Sequence, residues 1–166
     1  MIRPKIAETV PEEDWKIFVK VQAIIEGLPD ELQMTAYFSG VRLPRDVAVR
    51  HLIPNCHVFT WALAKFLPVD VHDGHIHELR AGGEEKRHHH SWLTRQGGDG
   101  KVIIDPWPLG TVSGPALFIQ DYCFHFGNEC SYLEHRSEDF LRQVAALRLE
   151  IRKVIKRRNI PWKAAA

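Results

Sequence analysis

The chain has 166 residues, of which 45% are hydrophobic and 26% charged, with a formal net charge of +1. This length suits a single domain, 1–166, that can bury a core, and the composition excludes a disordered chain. A nearly balanced charge gives no general pull toward nucleic acid or a membrane surface.

No apolar run reaches the roughly 18–20 residues of a transmembrane helix, and the N-terminus lacks the apolar stretch of a signal peptide. The expected location is cytoplasmic, with secretion by another route left open. Three cysteines make no disulfide framework, which fits a reducing compartment. Histidine is the compositional outlier, with ten residues, six of them between His72 and His90.

In chain order, Thr9 followed by Glu12 reads as a capping box. Acidic residues then occupy the first turn of a helix over 11–26, whose buried stripe is expected at Trp15, Phe18, Val19, Gln22 and Ile25. Gly27 ends it, and Pro29-Asp30 restarts a short helix to about Phe38. Pro44 and Asp46 suggest a turn and a further short helix. Pro54 forces Ile53 into an extended conformation, and Asn55 is a good N-cap. The pattern from Cys56 to Leu67 is helical and apolar over most of its surface, with Val58, Phe59, Ala62, Leu63 and Phe66 on one face. Residues 69–79 alternate like a strand, with Gly74 as a bulge or bend. A polar loop over 81–86 leads to strands at 88–95 and 101–105, joined through Gly97-Gly98-Asp99-Gly100. Residues 110–126 open as a loop and turn into a strand or short helix. Ser137 caps a long helix to about Arg158, with Phe140, Val144, Leu147, Ile151 and Val154 as its seam.

Three residues on these elements suggest thiol chemistry. As the first helical residue, Cys56 lies near unpaired backbone N–H groups and the positive end of the helix dipole, both of which favour a thiolate. The plainer reading is a small buried hydrophobe. If Gly98-Asp99 forms a two-residue turn, paired residue numbers sum to 197, so Asp105 lies opposite Trp92 and diagonal to His90. A four-residue turn over 96–99 puts His90 directly opposite Asp105. In both registers His90 and Asp105 share a face, and His88 lies farther off. Asp105 can then fix the imidazole tautomer while His90 takes the thiol proton and later gives it to the leaving group.

The helix-leading Cys56, then His90-Ser91-Trp92 on a strand, then Val102-Ile103-Ile104-Asp105-Pro106 on the next, resemble the papain-like cysteine hydrolase superfamily in its transglutaminase-like ordering. The resemblance covers about residues 52–110. It implies an α+β fold, with a central Cys-bearing helix packed on a small antiparallel sheet and flanked by N- and C-terminal helices. It also implies a Cys-His-Asp triad of Cys56, His90 and Asp105. Papain's Gln ahead of its cysteine has no counterpart, since Arg50 stands at about that place. An oxyanion hole would then use the Cys56 backbone N–H and the Asn55 side chain.

Other readings stand beside this one. His72, His75 and His77 with His88, His89 and His90 could form a zinc site, although neither HExxH nor paired CxxC is present. An inactive papain-like fold could serve as a binding module. Cys123 and Cys130 read as buried, and the C-terminal seam as packed on the domain, with homodimerisation through it as another reading. The expectation is an enzyme without cofactor or metal. Its Cys56 would attack a peptide, amide or ester carbonyl and pass the acyl group to water or an amine, with neither nucleic acid nor membrane as partner.

Overall fold

A computed structural model of the chain describes residues 10–29, 32, 56–79, 85–106, 115–119, 125–126 and 137–162. Among the described residues there are three helices and five strands. In chain order they are α1 (Glu12–Ile25), α2 (Cys56–Leu63), β1 (Val69–Leu79), β2 (Glu85–Arg95), β3 (Val102–Asp105), β4 (Ala116–Ile119), β5 (His125–Phe126) and α3 (Glu138–Arg158). The class is α+β, with one antiparallel sheet in the order β4-β3-β2-β1-β5. Thr9, Asn55, Cys123 and Cys130 lie outside the described residues. So do the expected turn near Pro44 and, apart from Leu32, the short helix over 30–38.

Helix α1 begins at Glu12 with Pro11 in the N-cap position and no side-chain cap, so the capping box centred on Thr9 is not how this helix starts. Glu12, Glu13 and Asp14 do occupy its first turn, where the dipole favours them. The buried stripe is Asp14, Ile17, Val21, Ile24 and Ile25, one residue away from the expected stripe. The displacement comes from Asp14. A carboxylate in the apolar stripe disguises it in the sequence, whereas in the fold Asp14 Oδ2 accepts from Arg95 Nε at 3.0 Å, at the end of β2. Trp15 and Phe18 pack on each other at 5.5 Å, outside that buried stripe.

Helix α2 is shorter than the pattern suggests. It closes at Leu63, and i→i+3 bonds to Lys65 and Phe66 continue the turn up to Pro68. Its expected apolar face, from Val58 through Phe66, is buried without exception. Helix α3 starts as its sequence suggests, with the Phe140 N–H donating to Ser137 Oγ at 3.2 Å. Its seam of Phe140, Val144, Leu147, Ile151 and Val154 is buried in the chain's own core beside α1, α2, Leu93 and Ile104. Asn159 closes the helix in the left-handed conformation, with φ of 50°. No described helix is long and apolar enough to cross a membrane.

The basic end of α3 has a structural task. Arg158 Nη1 donates to the Ala23 carbonyl at 3.1 Å and Nη2 to that of Glu26 at 3.0 Å, while Arg157 donates to the Gly27 carbonyl. These carbonyls belong to the last turn of α1 and the residues just after it, and α1 carries no basic residue of its own there. One helix thus supplies the cationic C-terminal partner of another.

Strands β1 and β2 pair one to one from Val69 opposite Arg95 to Leu79 opposite Glu85. Gly74 is therefore not a bulge: it sits in register opposite His90. The connection from β2 to β3 also differs from the expected two-residue turn. β2 ends at Arg95 and β3 starts at Val102, and the Gly98 N–H donates to the Arg95 carbonyl at 3.0 Å. Gly97, with φ of 71°, takes the third position of that turn, which requires a positive φ in type II geometry. Leu93 still pairs with Ile104. The wider loop is symmetric about the same midpoint, so the register is unchanged. Residues 116–119 form β4 on the outer side of β3.

Gly27, just after α1, packs closely on α3, since a β-carbon there would overlap Val154 Cγ1 and crowd Arg158. Gly27→Ala should therefore cost about 1–3 kcal/mol in urea unfolding. Adding Val154→Ala should cost less than the sum of the two single changes. Strict additivity of the pair would show that the crowding is not the cause.

Candidate active site

Because Leu93 faces Ile104, the same register carries Trp92 opposite Asp105 and leaves His90 diagonal to it on one face. The side chains meet there: His90 Nε2 and Asp105 Oδ2 are 2.6 Å apart, and both residues are buried. Trp92, also buried, stacks between His90 at 6.4 Å and His72 at 6.2 Å. His72 Nε2 in turn meets Thr94 Oγ1 at 2.8 Å. Of the three consecutive histidines, His90 is enclosed and His89 is exposed.

Strand β3 stops opposite Trp92, so His90 and Ser91 extend past its end. The first turn of α2 closes on β2 at this point. Thr60 Oγ1 donates to the Ser91 carbonyl at 3.1 Å, and His57 Nδ1 lies 2.5 Å from Ser91 Oγ. These two ties fix the start of the helix, and Cys56 is its first residue. The imidazoles of His57 and His90 both bear electrostatically on its thiol. The structure thus brings Cys56 close to the hydrogen-bonded pair of His90 and Asp105. Asn55, the proposed second oxyanion donor, lies outside the described residues.

The electrostatics follow from this geometry. Burial pushes the Cys56 thiol up, but hydrogen bonds and charge from His57 and His90 outweigh it and lower it from an ordinary 9.0 to about 6. Burial pushes the His90 imidazole down, but the charge and hydrogen bond of Asp105, helped by Cys56, raise it from 6.5 to about 10. The thiol is then the stronger acid of the two, so between these values the proton resides on His90 and the sulfur is a thiolate. His90 Nε2 is held by Asp105, so Nδ1 is the nitrogen left to exchange a proton with sulfur. Such a pair can attack an electrophilic carbonyl and then protonate a leaving group.

Three polar residues of this site are absent from the sequence reading: His57, Ser91 and Asp73. Ser91 Oγ donates to Asp73 Oδ1 from the opposite strand and lies 2.5 Å from His57 Nδ1, so the three form one polar cluster at the start of α2. Two signals for them were present. His57 is adjacent to Cys56, and Asp73 faces Ser91 once the β1–β2 hairpin is registered. Among the described residues no three His, Cys, Asp or Glu side chains are grouped so as to hold a metal ion.

The thiolate reading predicts how alkylation varies with pH. The rate of Cys56 modification by iodoacetamide should reach half its maximum near pH 6 and level off from about pH 7. An ordinary thiol reaches only half its maximum near pH 8.5 and gains rate beyond it. At pH 7 Cys56 should label faster than Cys123 or Cys130, as peptide mapping would resolve. A Cys56 rate still climbing through pH 8 would contradict the resting ion pair.

No protein-family model matches the chain, and searches of curated proteins and of solved structures also return no match, so the chemistry of the site is argued from its own geometry.

Proposed function

We propose that the protein is a cysteine hydrolase with a papain-like arrangement in transglutaminase-like order. Cys56 is the nucleophile, His90 the proton carrier and Asp105 its orienting carboxylate. One observation carries this reading: the buried hydrogen bond of His90 with Asp105 beside a thiol at the start of a helix.

The steps follow from the placement of protons. The thiolate attacks an amide or ester carbonyl, and the new oxyanion forms near the Cys56 backbone N–H, which has no partner within the helix. As the carbon–nitrogen or carbon–oxygen bond breaks, the His90 imidazolium gives its proton to the leaving amine or alcohol, and a thioester remains on Cys56. Neutral His90 then takes a proton from water as the water oxygen attacks the thioester. The carbon–sulfur bond breaks, the acid is released, and the thiolate–imidazolium pair is restored. An amine can replace water in the second half, which gives acyl transfer. Hydrolysis is the first choice because water is always present.

Asp105 acts on His90 rather than on substrate. It holds the Nε2 proton, and with it the tautomer, through the whole cycle.

The site is enclosed, with Cys56 only 6% exposed, so a small acyl donor is the appropriate first substrate. With p-nitrophenyl acetate we expect a burst of nitrophenol equal to the enzyme, and an acetyl adduct on Cys56 in intact-protein and peptide mass spectra. Cys56→Ala should abolish both while melting like wild type. Asp105→Asn should slow turnover by about 10²–10⁴-fold. The kcat/KM profile should be bell-shaped. It should fall as pH drops through about 6, where the thiolate is protonated, and again as pH rises through about 10, where His90 loses the proton owed to the leaving group. An adduct on another residue that survives Cys56→Ala would end the proposal.

A further inference from the structure

Helix α3 has two faces, and the fold uses one of them. Its inward seam, from Phe140 to Val154, is taken up by the chain's own core. The outward face is not uniformly polar. Three large apolar side chains are exposed among the described residues: Leu141 at 52%, Leu149 at 57% and Trp162. Trp162 packs edge-on against Phe66 at 5.7 Å. The two leucines lie on α3, on the side away from the seam.

The order of residues along this outer face is symmetric. Ala145 is at its centre. Leu141 and Leu149 stand four residues to either side of it, and Glu138 and Arg152 seven residues to either side. All five are exposed, and at 3.6 residues per turn they fall within an arc of about 80°. The stripe is therefore apolar in the middle, acidic at its N-terminal end and basic at its C-terminal end. Neighbouring charges pair along the helix itself, Arg142 with Asp139 and Lys153 with Glu150. Arg148 turns inward to the Trp61 carbonyl.

We infer that this stripe is the contact surface for a second copy of the chain, packed as an antiparallel pair of α3 helices that cross at Ala145. A two-fold axis at that residue sets Leu141 of each copy against Leu149 of the other, and Glu138 of each against Arg152 of the other. The small side chain at the crossing lets the helix axes approach to about 8–10 Å, where the leucines interlock. The charges choose the direction. A parallel pair in register sets Glu138 on Glu138 and Arg152 on Arg152, whereas the antiparallel pair makes two attractive contacts. The helix dipoles oppose each other in the same arrangement. The charges also choose the occupant: opposite signs at equal distances from one alanine are complementary to the chain's own stripe. The contact is one helix wide, so it belongs with weak, concentration-dependent interfaces rather than obligate ones. It lies across α3 from the buried seam, and the inference is independent of the reading of Cys56.

The experiment is sedimentation velocity on the full chain from about 1 µM to about 1 mM, with a melting curve for every variant. Wild type should move from the monomer toward twice its mass as concentration rises. Leu149→Asn, at an exposed position, should keep the chain monomeric where wild type is dimeric. Glu138→Arg and Arg152→Glu should each weaken the dimer by about tenfold, because each reversal creates two like-charge contacts. The two reversals combined should restore it, because opposite charges face each other again. Glu138 also serves the first turn of α3, so Arg152→Glu and Leu149→Asn carry the test if Glu138→Arg fails to fold. A wild type that stays monomeric over the whole range overturns the inference and leaves the stripe to a different protein. A dimer that Leu149→Asn does not weaken overturns it too, as does a folded double reversal no stronger than the single ones.

Discussion

The structure depends on the way an imidazolium is kept away from water. His90 is fully buried in the second strand, and a lone charge in that position would cost several kcal/mol. It is tolerated because Asp105 meets one ring nitrogen at 2.6 Å and the nearby Cys56 sulfur adds favourable charge. Removing Asp105 would leave the buried His90 charge without its carboxylate partner. Three residues distant in sequence are therefore coupled, and the positions of α2, β2 and β3 are coupled with them.

That coupling has a mechanical basis in the start of α2. The helix does not merely lie on the sheet. Its first two turns are tied to Ser91 through the His57 and Thr60 side chains, at the place where β3 has ended. The buried face of α2 is then held from behind by the seam of α3. The Arg157 and Arg158 bonds to the end of α1 join the third helix to the same layer, which gives the Cys56 thiol a rigid mount.

The site also explains why polar residues occupy central strands that would otherwise be apolar. Asp73, His90, Ser91, Thr94 and Asp105 are all buried. Leucine or valine in their place would pack with less cost, but would leave the sulfur in an apolar pocket that raises its pKa. The polar interior of the sheet is the environment that reverses the effect of burial on the thiol.

Much of this was legible in the sequence where a local pattern has a single physical reading. The seam of α3, its Ser137 cap, the apolar face of α2 and the bounds of β1 all follow from periodicity and capping. So does the sum-of-197 register that singles out His90, and it survived a wrong turn assignment because the loop is symmetric. The α1 stripe was misread because a buried Asp14 resembles a surface residue until Arg95 is seen beside it. Gly74 was taken for a bulge because a glycine in a strand carries no local sign of what it faces. The sequence by itself determined the elements and the alignment of His90 with Asp105, since both depend on spacing along the chain. Only the tertiary structure decided that Cys56 meets them, and that His57, Ser91 and Asp73 join it, because hydrogen bonds between a helix end and a strand more than thirty residues away leave no periodic trace in the chain.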